Sequence, residues 1–360
     1  MKSQLFELPT GYGKTLLALK TIGEKFSSYP KVLVVIPRLV LISNWKEEIK
    51  KWGYNEENFV FSTYISLAKH AGEWEAVIFD EAHHLSEKCL EVLTSFRINY
   101  SILLSASIGR NKKEQLRASF SNLEIHKRSL KEAIEENKLP EPQVITIPLT
   151  LDNTISNCVI TRNVRGKLPI LKYSWEQRFK GFAEKHHQVQ IYCTQQQYYS
   201  QLENDIEYYK NQYFRTDKEP LKFKWLKLCS DRLKWLSDLK IPKVKQLLRE
   251  YSTERVLTFC NSIEQTEQLG KYCINSKNKQ SQEFLQLFNE GKINHITAVN
   301  MLNEGVNLTN CRIGIYSNLN SSDTIVIQRL GRLLRHPNPI IIIPYFKGTR
   351  EEELISKYLI

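Results

Sequence analysis

Apolar residues in this chain fall into short unbroken runs separated by longer stretches of helical period. Val32–Ile36 reads Val-Leu-Val-Val-Ile without a polar residue. The segments at 76–79 and 102–104 are similar, and a further strand is expected at 4–8. Between them, residues 14–26 and 39–52 carry apolar positions three and four apart, the spacing of one helix face. Continuous apolar strands alternating with helices predict a parallel sheet buried on both faces. Pro140 and Pro142 punctuate the end of this unit, so a first domain is expected over residues 1–150.

The scheme returns toward the C-terminus. Strands are predicted at 255–259, 295–299, 313–316 and 340–343, and helices at 264–274 and 281–290, giving a second domain over 251–360. Residues 151–250 read differently. A strand-like piece at 188–192 precedes two aromatic-rich helical stretches, at 198–214 and 221–239; in the second, Trp225, Leu228, Leu233, Trp235 and Leu236 are apolar. The fold class is α/β: two parallel-sheet domains and a connecting segment.

Charge sharpens the view of that connector. The net charge is +12; residues 1–150 hold 20 Lys+Arg against 18 Asp+Glu, residues 151–250 hold 19 against 11, and residues 251–360 hold 12 against 10. The surplus is concentrated in the middle, and polyanions are the usual partners of such a surface. No apolar run approaches the ~20 residues of a bilayer span. No signal-peptide pattern opens the chain. Seven scattered cysteines form no CxxC pair, which argues against a disulfide framework or a zinc site. A reducing setting, cytoplasmic or nuclear and away from membranes, is expected.

Two segments carry chemistry. Residues 8–15 read Leu-Pro-Thr-Gly-Tyr-Gly-Lys-Thr, between an expected strand and an expected helix. Gly11 and Gly13 would let the backbone turn tightly and approach phosphate oxygens. Pro9, Thr10 and Tyr12 complete an anion-binding nest at a helix N-terminus. Lys14 would reach the β- and γ-phosphates of ATP, and Thr15 would place its hydroxyl on Mg²⁺. Leu8 stands where this motif usually opens on glycine. Asp80 follows the apolar strand at 76–79 and would hold Mg²⁺ through water; Glu81 beside it is the natural general base for an attacking water.

In order along the chain, these and further segments resemble the motifs of the superfamily 2 helicases and translocases. Lys14 and Thr15 match motif I, and Pro37-Arg38 matches motif Ia. Thr63-Tyr64 is similar to motif Ib. Asp80-Glu81-Ala82-His83 matches a motif II of the DEAH type, and Ser105-Ala106-Ser107 is similar to motif III. Phe259-Cys260-Asn261-Ser262 is similar to motif IV, and Asn303-Glu304-Gly305-Val306-Asn307-Leu308 to motif V. Gln328-Arg329-Leu330-Gly331-Arg332-Leu333-Leu334-Arg335 is similar to motif VI. The resemblance implies two RecA-like domains with ATP and nucleic acid bound across the cleft. It makes Arg332 and Arg335 arginine fingers from the second domain. Gln328 would contact the γ-phosphate region and couple to His83. Ser105 and Ser107 would link the ATP site to the cleft, Gly305 would let the backbone approach nucleic acid, and Asn307 would face the nucleotide. Arg38, Thr63, Asn261, Ser262 and Lys277 would hold a nucleic-acid backbone, contacts that position without reading sequence.

Residues 189–194 (Val-Gln-Ile-Tyr-Cys-Thr) and 347–352 also resemble Swi/Snf-type translocases, and small phage and bacterial helicases share the same features, so the subgroup stays open. The basic loop at 162–167 (Arg162, Arg165, Lys167) would reach phosphates, and Trp175, Phe179, Phe182, Trp225 and Trp235 are candidates for stacking on bases. The seven residues before Leu8 leave no room for the adenine-reading glutamine motif usual in the family. The leading expectation is an ATP-dependent helicase or translocase acting on nucleic acid, DNA before RNA, without sequence preference; the oligomeric state stays open, a monomer among the options. Two alternatives stand beside it: a double-strand translocase that does not separate strands, and a nucleic-acid-binding subunit with impaired ATPase.

Overall fold

The computed structural model describes residues 2–26, 30–165, 175–178, 186–299, 308, 310–319, 322–356 and 358–359. The chain divides into two compact units. One holds residues 1–145, 244–343 and 354–360, the other 146–243 and 344–353.

The first unit contains two lobes. Strands β1 (Lys2–Glu7), β2 (Val32–Ile36), β3 (Phe59–Thr63), β4 (Glu73–Phe79), β5 (Arg97–Ser105) and β6 (Leu123–Lys127) form one parallel sheet in the order β3-β2-β4-β5-β1-β6. Helices α1 (Lys14–Lys25), α2 (Leu41–Lys51), α3 (Glu87–Leu93), α4 (Arg110–Ser119) and α5 (Leu130–Glu135) connect and follow its strands. The unbroken apolar run of β2 has the expected cause. Val32, Val34 and Ile36 enter one core cluster, with Leu19, Ile22, Trp45 and Ile49 of α1 and α2. Leu33 and Val35 enter the cluster on the opposite face, with Phe79, Leu103 and Leu116. A pleated strand sends alternate side chains to opposite faces, so a strand buried on both sides has no position for a polar residue.

A strand β7 (Gln143–Leu149) follows. It lies inside the 1–150 range expected for the first domain, yet it is the edge strand of the second sheet. The Gln143 N–H donates to Pro339 O at 2.9 Å, which ties it there.

The second unit is built from β8 (Cys158–Arg165), β9 (Trp175–Arg178) and β10 (His186–Cys193), an antiparallel sheet in the order β8-β10-β9, and from the long helices α6 (Gln195–Thr216) and α7 (Glu219–Leu239). Thr194 and Gln197 form a capping box that starts α6. Pro220 sits in the first turn of α7, where its missing N–H costs nothing. Trp235 is partly buried and packs with Leu149 and Leu239 against Leu151, Tyr199, Leu236 and Phe346. Trp225 lies against Tyr213 and Phe214, with ring centroids 6.2 and 5.9 Å away.

This unit also holds a fully buried ion pair, Lys240 Nζ to Glu351 Oε1 at 2.5 Å, with side-chain exposures of 0% and 1%. The Glu351 Oε2 accepts from the Phe346 N–H at 3.2 Å. Burial pulls the Lys240 ammonium below its ordinary pKa, and Glu351 pushes it back up. Lys240→Met would strand the Glu351 carboxylate in the core, and a loss of about 3–5 kcal/mol is expected in denaturant unfolding. Adding Glu351→Leu should recover much of that loss; equal melting of wild type and the single variant would show that the pair is not needed.

After α8 (Ile241–Glu250) the chain builds the second lobe. Strand β11 (Val256–Phe259), helix α9 (Ile263–Leu269), β12 (Cys273–Ile274), α10 (Ser281–Asn289), β13 (His295–Ala298), β14 (Ile313–Tyr316), α11 (Asp323–Leu333), β15 (Ile340–Phe346) and α12 (Arg350–Ile355) follow in turn. The sheet order is β12-β13-β11-β14-β15-β7. The helix expected at 264–274 stops at Leu269. Gly270 is extended there, and Cys273 and Ile274 pair with β13 instead. Among the described residues no helix is long and apolar enough to cross a membrane.

Candidate active site

Because the strands of the first sheet are parallel, their C-terminal ends share one edge. The 8–15 loop leaves β1 there, Asp80 follows β4, and Ser105 ends β5 between them. The Leu8 N–H donates to Ser105 O at 2.9 Å. Gly11 and Gly13 both have φ of +93°, the left-handed region that favours glycine. Gly13 caps α1 without any side-chain bond, so no side chain competes for the first-turn N–H groups. Lys14 Nζ donates back to Leu8 O at 3.1 Å. Lys14 keeps partial exposure. The protein around it is nonetheless dense enough that desolvation dominates and lowers its pKa. Glu81 and Asp80 oppose that shift, while Arg332 and Arg335 reinforce it. Both arginines of α11 and its C-terminal end therefore act electrostatically on the Lys14 pocket.

The acids are held firmly. Asp80 Oδ2 accepts from Trp45 Nε1 at 2.9 Å, and Oδ1 accepts from the Glu81 N–H at 3.0 Å. The Tyr64 hydroxyl donates to the Asp80 carbonyl at 2.7 Å. Burial and then the neighbouring Glu81 charge push the Asp80 carboxyl up to about 6; the Trp45 bond and Lys14 pull the other way. Glu81 has φ of +51°, uncommon for a residue with a side chain. Its Oε2 lies 3.4 Å from His83 Nδ1. His83 Nδ1 is also 3.0 Å from Ser105 Oγ, which donates to Ser107 O at 2.9 Å. Motifs II and III are thus joined through side chains.

The second lobe closes on this edge through α11. A Cβ placed on Gly331 would lie 2.4 Å from Thr10 Cβ and 2.5 Å from Thr10 O. Arg332 is buried at 6% exposure, and Gln328 at 2%, whereas Arg335 is exposed. Two buried polar atoms here make no hydrogen bond, Thr10 Oγ1 and Gln328 Nε2, and Glu81 Oε2 has only the His83 ring nitrogen, 3.4 Å away. Buried polar groups are nearly always satisfied, and those left over need an explanation. A nucleotide triphosphate with an attacking water would supply it, because these atoms belong to the loop, the acid pair and the α11 face. Among the described residues no group of three or more His, Cys, Asp or Glu side chains could hold a metal on its own. Asp80 and Glu81 nevertheless repel each other, and a divalent cation carried by the nucleotide would relieve that.

The residues assigned to polymer contact follow the C-terminal ends of their strands: Arg38 after β2, Thr63 at the end of β3, Asn261 and Ser262 after β11, and Lys277 after β12. Arg38 and Lys277 are exposed. Thr63 and Ser262 also have local work. Thr63 bonds Ser66 within its turn, and Ser262 caps α9 by accepting from the Gln265 N–H at 3.2 Å. Asn261 donates its backbone N–H to Gln265 Oε1 at 2.8 Å. Gly305, Asn307, Lys167, Phe179 and Phe182 lie outside the described residues, as do the side chains of Arg165 and Trp175.

Two residues, Trp45 and Glu7, enter this geometry without a sequence motif of their own, and Tyr64, from the segment similar to motif Ib, enters in a role that segment does not announce. Trp45 and Tyr64 hold Asp80 from two different elements. Glu7, 5% exposed at the end of β1, accepts from the Ile108 N–H at 3.2 Å and pairs with Lys113 at 2.5 Å. It bridges the phosphate loop to the segment after motif III. An acid closing an apolar strand was a visible signal for Glu7; nothing in the sequence marks Trp45.

Comparisons with known proteins agree with the motif order. The family model of the type III restriction enzyme res subunit matches residues 1–110, and the helicase conserved C-terminal domain matches residues 239–337. The DNA 3'-5' translocase XPB2 of Sulfurisphaera tokodaii is 24% identical over 380 residues, covering 98% of this chain and 80% of that protein. The crystal structure of the Pyrococcus furiosus Hef helicase domain shares the fold, with a TM-score of 0.53 at 13% identity, over 100% of this chain and 95% of that one. With helicase family models on both lobes and a translocase relative along nearly its whole length, the chain belongs to the superfamily 2 helicases and translocases, motors that hydrolyse ATP and act on nucleic acid.

Proposed function

We propose that this motor moves along DNA, using ATP to close and reopen the cleft between Lys14 and α11. The observation that carries the reading is the seat of Gly331 on Thr10, which sets α11, the helix that carries the buried Arg332 and Gln328, against the phosphate loop. Lys14 and the N–H groups at the start of α1 would bind the phosphates. Glu81 would take the proton of the attacking water. Arg332 and Arg335 would compensate charge on the transferring phosphoryl group, and Gln328 would orient its surroundings. Thr15 and Asp80 would hold Mg²⁺, which would supply charge compensation to the phosphates. Tyr12, Thr10 and Pro9 complete the cradle, and neither lobe alone holds the whole site.

DNA is favoured as the polymer by the activity for which the Sulfurisphaera tokodaii relative is named. Arg38, Thr63, Asn261, Ser262 and Lys277 would grip the backbone. The basic segment at 151–250 would add a salt-sensitive electrostatic hold. That relative is a translocase by name, which favours tracking without strand separation over unwinding. ATPase activity measured without polymer and with single-stranded DNA, duplex DNA or RNA should rise most with DNA. Triplex displacement is expected beside weak or absent strand displacement. Stimulation by RNA alone would remove the DNA assignment, and efficient strand displacement would make the chain an unwinding helicase.

A further inference from the structure

The turn after β3 is stiff. Thr63 Oγ1 and Ser66 Oγ are 2.9 Å apart, the Thr63 N–H donates to Ser66 Oγ at 3.2 Å, and the Ser66 N–H donates to Thr63 Oγ1 at 3.3 Å. The Ser66 N–H also donates to Thr63 O at 3.1 Å. Four residues tied in this way move as one piece. The piece has two ends. Ile65 is 97% exposed. Tyr64 is buried, its ring in the core cluster with Leu67, Trp74, Val77 and Phe79, and its hydroxyl on the Asp80 carbonyl at 2.7 Å.

That carbonyl belongs to the peptide group between Asp80 and Glu81. The N–H of the same peptide donates to Asp80 Oδ1 at 3.0 Å. The peptide is therefore fixed on both its edges, and its plane defines one side of the Glu81 φ torsion, which stands at +51°. A side-chain-bearing residue stays in the left-handed region only where its surroundings over-determine it. Tyr64 supplies part of that determination for the residue assigned as general base, from a turn that also carries an assigned polymer contact.

We propose that Tyr64 is a positioning residue that couples polymer binding at the 63–66 turn to the orientation of Glu81, through its bond to the Asp80 carbonyl. This rests on the reading of Thr63 as a polymer contact and Glu81 as the base. Polymer seated on the exposed side of the turn holds Tyr64 in place, and Tyr64 holds the Asp80–Glu81 peptide. Trp45 grips the Asp80 carboxylate from α2, a separate element, so it supports the acid without reporting on polymer.

The test uses Tyr64→Phe, which keeps the ring in the core and deletes the hydroxyl, beside Trp45→Phe and Ile65→Glu. ATP turnover is measured over a range of duplex DNA concentrations and without DNA, with thermal melts as the folding control. In Tyr64→Phe the ratio of stimulated to unstimulated turnover should fall up to about tenfold, the scale of one lost hydrogen bond, while the half-stimulating DNA concentration stays within about twofold. Ile65→Glu, on an exposed position, should do the reverse: a higher half-stimulating concentration and wild-type turnover at saturation. Trp45→Phe should lower both rates alike. If Tyr64→Phe also lowers both rates alike, or leaves the ratio unchanged, Tyr64 is a local support and the coupling is wrong. If Ile65→Glu leaves the half-stimulating concentration unchanged, the turn does not meet the polymer and the coupling fails there. Absence of stimulation in the wild type by any polymer would overturn the motor reading itself, before any variant is compared.

Discussion

Glu81→Gln is expected to lower ATP turnover about a hundred- to ten-thousand-fold, the range for loss of a positioned general base. Nucleotide binding should survive. Glutamine keeps the shape of the side chain, and it removes the charge that, after burial, does most to push the Asp80 carboxyl up to about 6. Asp80 should then ionise more readily and hold a cation at least as well. Lys14→Ala separates the two roles. It removes the ammonium expected to meet the phosphates, so binding of a fluorescent ATP analogue should weaken along with turnover. Titration of that analogue beside steady-state hydrolysis reads both. Turnover in Glu81→Gln above about a tenth of wild type would place the base elsewhere.

Gly331→Val should be nearly as damaging, although Gly331 has no side chain to contribute. Its Cβ would meet Thr10 Cβ at 2.4 Å and Thr10 O at 2.5 Å. The obstruction includes backbone, so no rotamer change relieves it. The lobes would part, withdrawing Arg332 and Gln328 from the loop, and turnover should drop on the order of a thousandfold, as when an arginine finger is lost. ATP binding to the first lobe should change little. Arg332→Ala added to Gly331→Val should cost almost nothing more, because both act on the same closure. Full additivity of the two losses would show that they are independent, and that α11 does not dock as a unit. Gly13 is a useful contrast: a Cβ there meets no protein atom within 4 Å, so a loss on its substitution comes from the left-handed backbone and the approach of the phosphates, not from a clash between the lobes.

Much of the architecture is legible because burial on both faces leaves a plain mark. The run in β2 is apolar for the same reason that its side chains divide between two core clusters. Short elements at sheet edges leave a weaker one. The two residues of β12 read as the tail of a helix, since two apolar residues suit either state until the extended backbone at Gly270 and the pairing with β13 are seen. The chemistry divides in a similar way. Lys14, Thr15, Asp80 and Glu81 are readable because phosphate and cation binding demand fixed residue types beside a turn. Trp45 is not, and Tyr64, though it stands in the segment similar to motif Ib, shows no sign there of its bond to Asp80. Trp45 lies 35 residues before Asp80 and Tyr64 lies 16 before it. Trp45 follows β2, the neighbour of β4, and Tyr64 follows β3 one strand farther out, an order the sequence does not display. Gly331 stands within a recognisable motif, but its purpose is a clearance between two backbones, and only the assembled lobes reveal it.

The threading of the second sheet bears on how the chain comes to be made. β7 emerges from the ribosome early, yet it is hydrogen-bonded in the sheet next to β15, which is synthesised almost two hundred residues later. The first six strands can complete their sheet during translation, whereas β7 must wait as an unclaimed edge until nearly the whole polypeptide is out. Closure over so long a separation is slow. Nascent chains stalled before β15 should therefore carry a finished first lobe and a sticky, unfinished second one, open to chaperones and to aggregation at the same edge.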